Sequence, residues 1–158
     1  MNLSIRLLDK HDAGDRARLV ALTDVYARDA AGGGTGLSAH ATEHLGAAFA
    51  AHPTTFALVV LEDDKALGHA LCFLGFSSFY AAPTVILHDL SVIPQARGRG
   101  IGRLLMNAVE EQARQRGCAK VMLEVRDDNT VARSLYDSSG YEVSGLGGSL
   151  FRMMEKVM

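Results

Sequence analysis

Three glycines alternate with other residues, mostly arginines, in the middle of the chain, just after an apolar segment that ends at Ile93 and Pro94. Glycines let a backbone approach a ligand closely. A helix that begins at such a turn points its free N–H groups and its positive dipole end at that ligand. The turn therefore predicts a phosphate or pyrophosphate site, to which arginines add positive charge. Its residues are Arg97, Gly98, Arg99, Gly100, Ile101, Gly102 and Arg103.

Three phosphate-binding patterns can be compared with this turn. A dinucleotide fingerprint would need a third glycine where Arg103 stands, although Glu124 follows at roughly the spacing of a ribose-binding acid. A Walker A loop would need Gly-Lys followed by Ser or Thr, which this turn lacks. The Arg/Gln-x-x-Gly-x-Gly/Ala loop of acetyl-coenzyme A enzymes fits residues 97–102 without a gap. A tight turn with no ligand is the remaining alternative.

A second group of spaced residues lies in the C-terminal part of the chain: Asn129, Ala132, Leu135, Tyr136, Gly140 and Tyr141. Their spacing looks like the Asn-x-x-Ala-x-x-Leu-Tyr-x-x-x-Gly-Phe/Tyr segment of the GNAT superfamily of N-acetyltransferases. The two motifs stand in that family's order, so the chain resembles this superfamily. The stretch from Gly68 through Pro94 looks most like its diamine (spermidine/spermine-type) and thialysine acetyltransferases.

The resemblance implies acetyl-CoA as co-substrate and no metal. It makes the Leu90 N–H a candidate donor to the thioester carbonyl and places Val92 on the amides of the pantetheine arm. A backbone donor of this kind typically contributes a few kcal/mol to lowering the barrier. The coenzyme's pyrophosphate is expected on residues 97–103. Asn129 matches a residue that orients the coenzyme's arm, with a helix N-cap as the alternative or additional role.

Two side chains carry the expected proton transfers. Tyr136 matches the tyrosine that protonates the leaving thiolate in the family; the alternative is a core aromatic residue. His88 stands where the diamine enzymes have glutamate, and it is either the base that takes the amine's proton or a histidine hydrogen-bonded within the sheet. Asp89 would point to the opposite face unless a bulge intervenes, and would anchor a cationic substrate or bond the backbone. His40 and His44 have metal spacing but no third ligand.

The apolar patterns predict the elements that position these residues. The expected strands cover residues 4–8, 54–61, 66–76, 84–93 and 120–125, with a terminal pair from Tyr141 onward. The expected helices cover residues 12–29, 38–51, 98–116 and 128–139. The glycine-rich residues 31–36 are expected to form a flexible loop on the substrate side. The resemblance implies an α/β fold whose mixed, mostly antiparallel sheet has six to seven strands, is split in the middle and carries helices on both faces.

Composition narrows the class of protein. The 158 residues suit one domain, 1–158, and a net charge of −2 does not favour nucleic-acid binding. No apolar run is long enough to span a bilayer, and Cys72 and Cys118 are expected to be free thiols in the cytoplasm. A homodimer is expected.

The expected function is direct acetyl transfer from acetyl-CoA to a small-molecule amine within a ternary complex. The helical region of residues 12–51 favours a covered small-molecule pocket. A peptide or protein N-acetyltransferase and a non-catalytic CoA-binding regulatory domain are the alternatives.

Overall fold

A computed structural model describes residues 2–158. All the predicted helices and strands are present, with ends displaced by a few residues. They are β1 (Leu3–Leu7), α1 (Ala13–Arg28), α2 (Ala39–Ala51), β2 (Thr55–Glu62), β3 (Lys65–Ser77), β4 (Ala82–Val92), α3 (Ile101–Gln115), β5 (Val121–Leu123), α4 (Thr130–Asp137), β6 (Gly145–Leu146) and β7 (Ser149–Leu150). Single 3₁₀ turns cover Ala30–Gly32 and Pro94–Ala96.

The central sheet has the order β1-β2-β3-β4-β5, in which only the β4–β5 pair is parallel. This confirms the predicted fold class. The expected count of six to seven strands in one sheet is wrong, because the central sheet has five. Within the described residues, the two terminal strands pair only with each other, through a turn at Gly147 and Gly148 whose positive φ angles suit a tight hairpin.

Strand alternation builds a core on each face of the sheet. In β2, successive side chains point to opposite faces, so a wholly apolar strand supplies both cores. Phe56, Leu58 and Val60 pack in the cluster that contains α3 and Tyr136. Ala57, Val59 and Leu61 pack in the cluster that contains Leu19 and Leu22 of α1 and Phe49 of α2. Helices therefore cover both faces, as expected.

Three helices begin at side-chain caps that hold their first turns. Asp12, Ser38 and Asn129 each accept a hydrogen bond from the backbone N–H three residues further on, which satisfies a donor that the helix cannot pair. Helix α3 is different, because it begins after Gly100 with no side-chain cap. The helix expected from residue 98 starts at Ile101 because Gly98 and Gly100 have positive φ angles, which a right-handed helix does not contain.

Cys72 is buried and Cys118 is half-buried, and both are free thiols. Burial raises the pKa of the Cys72 thiol to about 12, so this side chain remains protonated and serves as a small apolar core residue. Within residues 2–158, no helix combines the length and the apolar character needed to cross a membrane.

Candidate active site

A cleft opens in the sheet where β4 and β5 separate. The two strands pair only at Val85–Leu87 with Val121–Leu123. Strand β4 then continues to Val92, still paired with β3, whereas β5 has ended. Beyond Leu87, one edge of β4 therefore has no neighbouring strand among the described residues. This is the split that the family resemblance led us to expect.

A β-bulge decides which backbone groups of β4 face this cleft. The pairing of β3 with β4 jumps from Leu71–Asp89 to Cys72–Leu87, so His88 is the extra residue. Before the bulge, the Val85 N–H bonds to Lys120 of the β5 side, and after it the Ile93 N–H bonds to Leu67 of β3.

Alternate residues of a strand point their N–H groups to the same side. Since the Ile93 N–H faces β3, the N–H groups of Leu90 and Val92 face away from β3, into the cleft. The Val92 carbonyl faces the same way, because it accepts a hydrogen bond from Arg97 Nε at 3.1 Å. The backbone thus presents donors along the open edge, where an extended ligand could add like a strand.

The glycine turn stands at the end of this edge. Gly98 and Gly100 have φ angles of 74° and 78°, in the left-handed region that favours glycine. A Cβ at either would meet no protein atom within 4 Å, so the space beside the turn is open. The first-turn N–H groups of α3 have no side-chain cap and can bind an anion.

Gly102 has a different role from the other two glycines. A Cβ there would lie 3.1 Å from Leu135 Cδ2. The missing side chain therefore lets α3 approach α4, the helix that carries Tyr136. This close approach joins the two sequence motifs in space.

The three arginine side chains of the turn donate hydrogen bonds to nearby oxygen atoms of the protein. Arg97 donates to Asp29 at 2.7 Å, and Arg99 pairs with Glu62 at 2.5 Å. Arg103 donates to the Ser138 carbonyl at 3.2 Å, at the C-terminal end of α4. All three side chains are exposed at the rim of the turn.

The segment after α1 bridges the ends of the two separated strands. Asp29 contacts Arg97, which follows β4, and the Ala30 carbonyl accepts from Arg126, which follows β5, at 3.4 Å. The glycine-rich segment expected as a substrate-side loop thus begins with the 3₁₀ turn Ala30–Gly32 beside the cleft. That this segment lies on the substrate side stays a prediction.

Tyr136 lies in the last turn of α4 and is 8% exposed. Burial, and then the charge of Tyr26, raise the pKa of its phenol to about 12. The hydroxyl makes no hydrogen bond within residues 2–158. It is therefore protonated at neutral pH and unoccupied as a donor, as a general acid requires. Asn129 caps the same helix through Ala132 N at 3.1 Å, which leaves its side-chain amide nitrogen without a partner in the described chain.

The bulge places His88 and Asp89 in contrasting surroundings. His88 is exposed, makes no hydrogen bond within the described chain, and has the Phe73 ring 6.3 Å away between centroids. The alternative role for His88, a histidine hydrogen-bonded within the sheet, is therefore wrong. Asp89 is half-buried and makes no hydrogen bond to the backbone, so the second of the two roles considered from the sequence is wrong. Burial raises the pKa of its carboxyl group.

Tyr26, in the last turn of α1, is a candidate site residue that the sequence analysis missed. Its phenol pKa is raised by burial and then by the nearby Asp89 carboxylate. Tyr26 is also close enough to influence the pKa of Tyr136. Tyr26 of α1 is thus close enough to the Asp89 carboxylate of β4 and to the Tyr136 phenol of α4 for their charges to act on one another. Tyr26 belongs to no motif, and only the packing of α1 reveals it.

A buried polar network supports β4 behind the cleft. His69 of β3 is fully buried and contacts Thr23 Oγ1 at 3.3 Å and Ser91 Oγ at 3.0 Å. Since the Thr23 hydroxyl donates to the Leu19 carbonyl at 2.8 Å, it accepts from His69 Nε2–H. His69 Nδ1 is then an acceptor that faces the Ser91 hydroxyl, which also lies 3.4 Å from the Leu22 carbonyl. Burial lowers the pKa of His69 to about 4. The neutral ring thus joins α1, β3 and β4.

Comparison with known proteins agrees with this geometry. The sequence model of the acetyltransferase (GNAT) family matches residues 20–141, which include the cleft, the glycine turn and Tyr136. The chain belongs to the acetyltransferase (GNAT) family.

Individual relatives are more distant. An uncharacterized N-acetyltransferase of Bacillus subtilis (strain 168), YhfO, is 36% identical over 85 residues, which cover 54% of this chain and 57% of YhfO. The match therefore spans little more than half of that relative's length.

Solved structures share the fold at low sequence identity. An aminoglycoside acetyltransferase from an uncultured soil metagenomic sample superposes with a TM-score of 0.76 at 18% identity, over 97% of each chain. The aminoglycoside acetyltransferase AAC(6')-Iy, in complex with a bisubstrate analog of coenzyme A, also gives 0.76 at 18% identity, over 100% of this chain and 99% of that one.

Proposed function

We propose that this protein is an acetyl-CoA-dependent N-acetyltransferase that acts on the amine of a small molecule. The observation that carries the proposal is the open edge of β4, whose Leu90 and Val92 N–H groups lead to the uncapped start of α3. An extended arm with a pyrophosphate at its far end fits such an edge. The pantetheine arm would lie along β4, and the pyrophosphate would lie on residues 97–103.

Acetyl transfer would then proceed directly within a ternary complex. The neutral amine attacks the thioester carbonyl, and the Leu90 N–H donates to the developing oxyanion. As the C–S bond breaks, Tyr136 donates its proton to the thiolate. The free hydroxyl of Tyr136 and its raised pKa support this role. The transfer needs no covalent acetyl-enzyme, and buried Cys72 offers no reactive thiolate.

The amine must lose a proton, and the bulge offers two acceptors. His88 is exposed and can pass a proton directly to solvent. Asp89 has no hydrogen-bond partner within residues 2–158 and lies beside Tyr26. We assign proton removal to His88, with Asp89 and Tyr26 beside the incoming amine. This assignment rests on the position of His88, which matches the glutamate of the similar diamine enzymes, and on the influence of the Asp89 carboxylate on the pKa of Tyr26.

The acceptor is proposed to be a small amine that carries less positive charge than a polyamine. A neutral imidazole attracts an ammonium group less than the glutamate of diamine enzymes does. Two of the structural neighbours are aminoglycoside acetyltransferases, which supports a small-molecule amine as the acceptor class. Aminoglycosides themselves carry several amines, so the preference for lower charge rests on His88 alone. Monoamines and amino-acid-like amines are therefore expected to outperform spermidine.

The test is thiol release from acetyl-CoA in the presence of a panel of amines. The panel contains monoamines, amino acids, an aminoglycoside, spermidine and an N-terminal peptide. We expect release above the no-amine rate with at least one small amine, and none with a Gly100→Asp variant. If the peptide is the one member of the panel that is acetylated, the small-molecule proposal is wrong and the protein is a peptide N-acetyltransferase. Coenzyme binding with no turnover of any amine would favour a regulatory CoA-binding domain.

A further inference from the structure

A row of apolar side chains crosses the central sheet beside the candidate active site. Phe73 of β3 pairs with Ile86 of β4, and Ile86 pairs with Met122 of β5. Residues paired across neighbouring strands point their side chains to the same face of the sheet. Phe73, Ile86 and Met122 therefore lie side by side on three strands. We call these three residues the apolar row.

The apolar row faces the side of the sheet on which α1 and α2 lie. Alternate residues of a strand point to opposite faces. The residues on either side of each member of the row pack in the cluster that contains α3: Cys72, Leu74, Val85, Leu87, Val121 and Leu123. Phe73, Ile86 and Met122 therefore point to the other face. His88 shares this face with them, because its ring lies 6.3 Å from the ring of Phe73 between centroids.

The two helices leave the apolar row uncovered. The cluster beneath α1 and α2 extends along β3 as far as Leu71, and it contains neither Phe73 nor Ile86. Both of these side chains are only half-buried, and Met122 is 37% exposed. Gly75 keeps the flank of Ile86 open, since a Cβ there would lie 3.6 Å from Ile86 Cγ1. Within residues 2–158, the row is thus an apolar floor without a cover.

His88 joins the apolar row to the site of the proposed acetyl transfer. An amine that gives its proton to His88 has its nitrogen beside that ring, and the rest of the molecule can lie along β4 in either of two directions. Towards Asp89, the strand pairs with Leu71 beneath the helices. Towards Ile86, the face of the sheet is open. The open direction has room for a substituent, and its floor is the apolar row.

The chemistry of this floor favours an aromatic substituent. A polar or charged group would lose hydration over the row without gaining a hydrogen bond from its three side chains. An aromatic ring would contact the ring of Phe73 and the sulfur of Met122, and both contacts are favourable. Neighbouring strands lie about 4.8 Å apart, so the row is about 10 Å long. This length accommodates one ring on a short alkyl chain.

We propose that the apolar row is a subsite for the acceptor, and that the acceptor is a primary monoamine whose nitrogen is joined through a short alkyl chain to an aromatic ring. The nitrogen lies at His88, and the ring lies on Phe73, Ile86 and Met122. This inference rests on the proposed function and narrows it from a small amine to an arylalkylamine. It assigns substrate specificity to three residues that belong to neither sequence motif.

The first test compares two amines that differ in the substituent and share the rest of the molecule. Phenethylamine and ethanolamine carry a phenyl ring and a hydroxyl group, respectively, on the same two-carbon chain. We expect kcat/KM of the wild type to be about 10-fold or more higher for phenethylamine, which is the discrimination typical of an apolar subsite. A wild-type ratio near one overturns the proposal.

Variants of the row test where this preference arises. Phe73→Ser and Ile86→Ser should each lower the phenethylamine-to-ethanolamine ratio of kcat/KM by about 10-fold, whereas Phe73→Leu, which keeps an apolar side chain, should retain most of it. The matched control is Phe76→Ser, which should keep the wild-type ratio. Phe76 lies on the same strand, points to the opposite face and is 72% exposed.

Three results of the variants would contradict the proposal. The first is a fall of the ratio in Phe76→Ser as large as in Phe73→Ser. The second is a wild-type ratio in both Phe73→Ser and Ile86→Ser. The third is a sedimentation experiment in which Phe73→Ser separates a dimer and keeps the wild-type ratio, because the row would then be a contact between two copies.

Binding without turnover separates this proposal from acetyl transfer itself. Two bisubstrate analogues join the coenzyme A sulfur through an acetyl bridge to the nitrogen of phenethylamine or of ethanolamine, and calorimetry gives the dissociation constant of each. We expect the phenethyl analogue to bind the wild type about 10-fold more tightly than the other, and Phe73→Ser to lose this preference. If both analogues bind equally tightly and amines are acetylated, the subsite is wrong and the proposed function stands. If neither analogue binds and no amine is acetylated, the proposed function is wrong, and the subsite with it.

Discussion

Lowering the pH from 7 to 4 should destabilise the fold through one buried histidine. His69 is fully buried, and burial lowers its pKa from 6.5 to about 4. The unfolded chain therefore binds more protons than the folded protein once the pH falls below about 6.5. By linkage, the stability that the neutral ring contributes is fully present above pH 6.5 and is lost as the pH falls towards 4.

The size of this loss follows from the two pKa values. One unit of pKa corresponds to about 1.4 kcal/mol, so the full difference amounts to about 3 kcal/mol of unfolding free energy. Asp89 acts in the opposite direction, because its raised pKa favours proton uptake by the folded state. Asp15, whose pKa is held low by Arg6, titrates below this window. The wild-type curve alone therefore does not isolate His69.

A matched variant isolates the contribution of His69 to the pH dependence of stability. His69→Gln keeps one donor and one acceptor for Thr23 and Ser91 but cannot titrate. Urea unfolding at several pH values between 7 and 4.5 gives the unfolding free energy of each protein. The difference between wild type and variant should shrink by about 2 to 3 kcal/mol towards low pH. His52→Gln, an exposed change, should leave the wild-type slope intact. Parallel curves for wild type and His69→Gln would refute the reasoning.

The remaining predictions concern the candidate site. Gly100→Asp should abolish CoA binding in calorimetry, because its carboxylate would occupy the candidate anion site. The control is Gly117→Asp, which should bind CoA normally, because Gly117 also has a positive φ angle and open surroundings but lies at the other end of α3. Tyr136→Phe should lower turnover by about 10²-fold with acetyl-CoA affinity nearly unchanged, and a wild-type rate would make it a packing residue. If His88 is the base, the turnover of the wild type should rise with pH, and the turnover of His88→Ala should not depend on pH. If Asp89→Asn is instead the variant that loses the pH dependence, Asp89 is the base. His88→Glu should shift preference towards diamines.

Much of the fold could be predicted because its signals are local. Asp12 and Ser38 precede apolar helical patterns, and both cap helices where the sequence indicates. The pairing of the terminal strands could not be predicted from local signals. Whether residues from Tyr141 onward join the central sheet depends on what the β5 edge meets, and a strand of three residues leaves no pattern that decides this.

The sequence motifs of the candidate site could be predicted, but the way its elements pack together could not. Gly98 and Gly100 require positive φ angles, so their residue type marks the turn directly. The approach of Tyr26 to Asp89 depends instead on the rotation of α1 over the sheet. Periodicity defines which face of a helix is buried and leaves the position of one flanking tyrosine undetermined.

The bulge at His88 connects several features of the site that looked separate in the sequence. In a regular strand, Val85 and Ile93 would point their N–H groups to the same side, yet they bond to β5 and β3 respectively. One extra residue accounts for this reversal. The same residue turns the Leu90 and Val92 N–H groups into the cleft and keeps Ser91 on the side of His69. The bulge residue that is the candidate base thus also orients the open edge of β4 that we propose binds the coenzyme. His88 variants should therefore be checked for acetyl-CoA affinity before any loss of turnover is assigned to proton transfer.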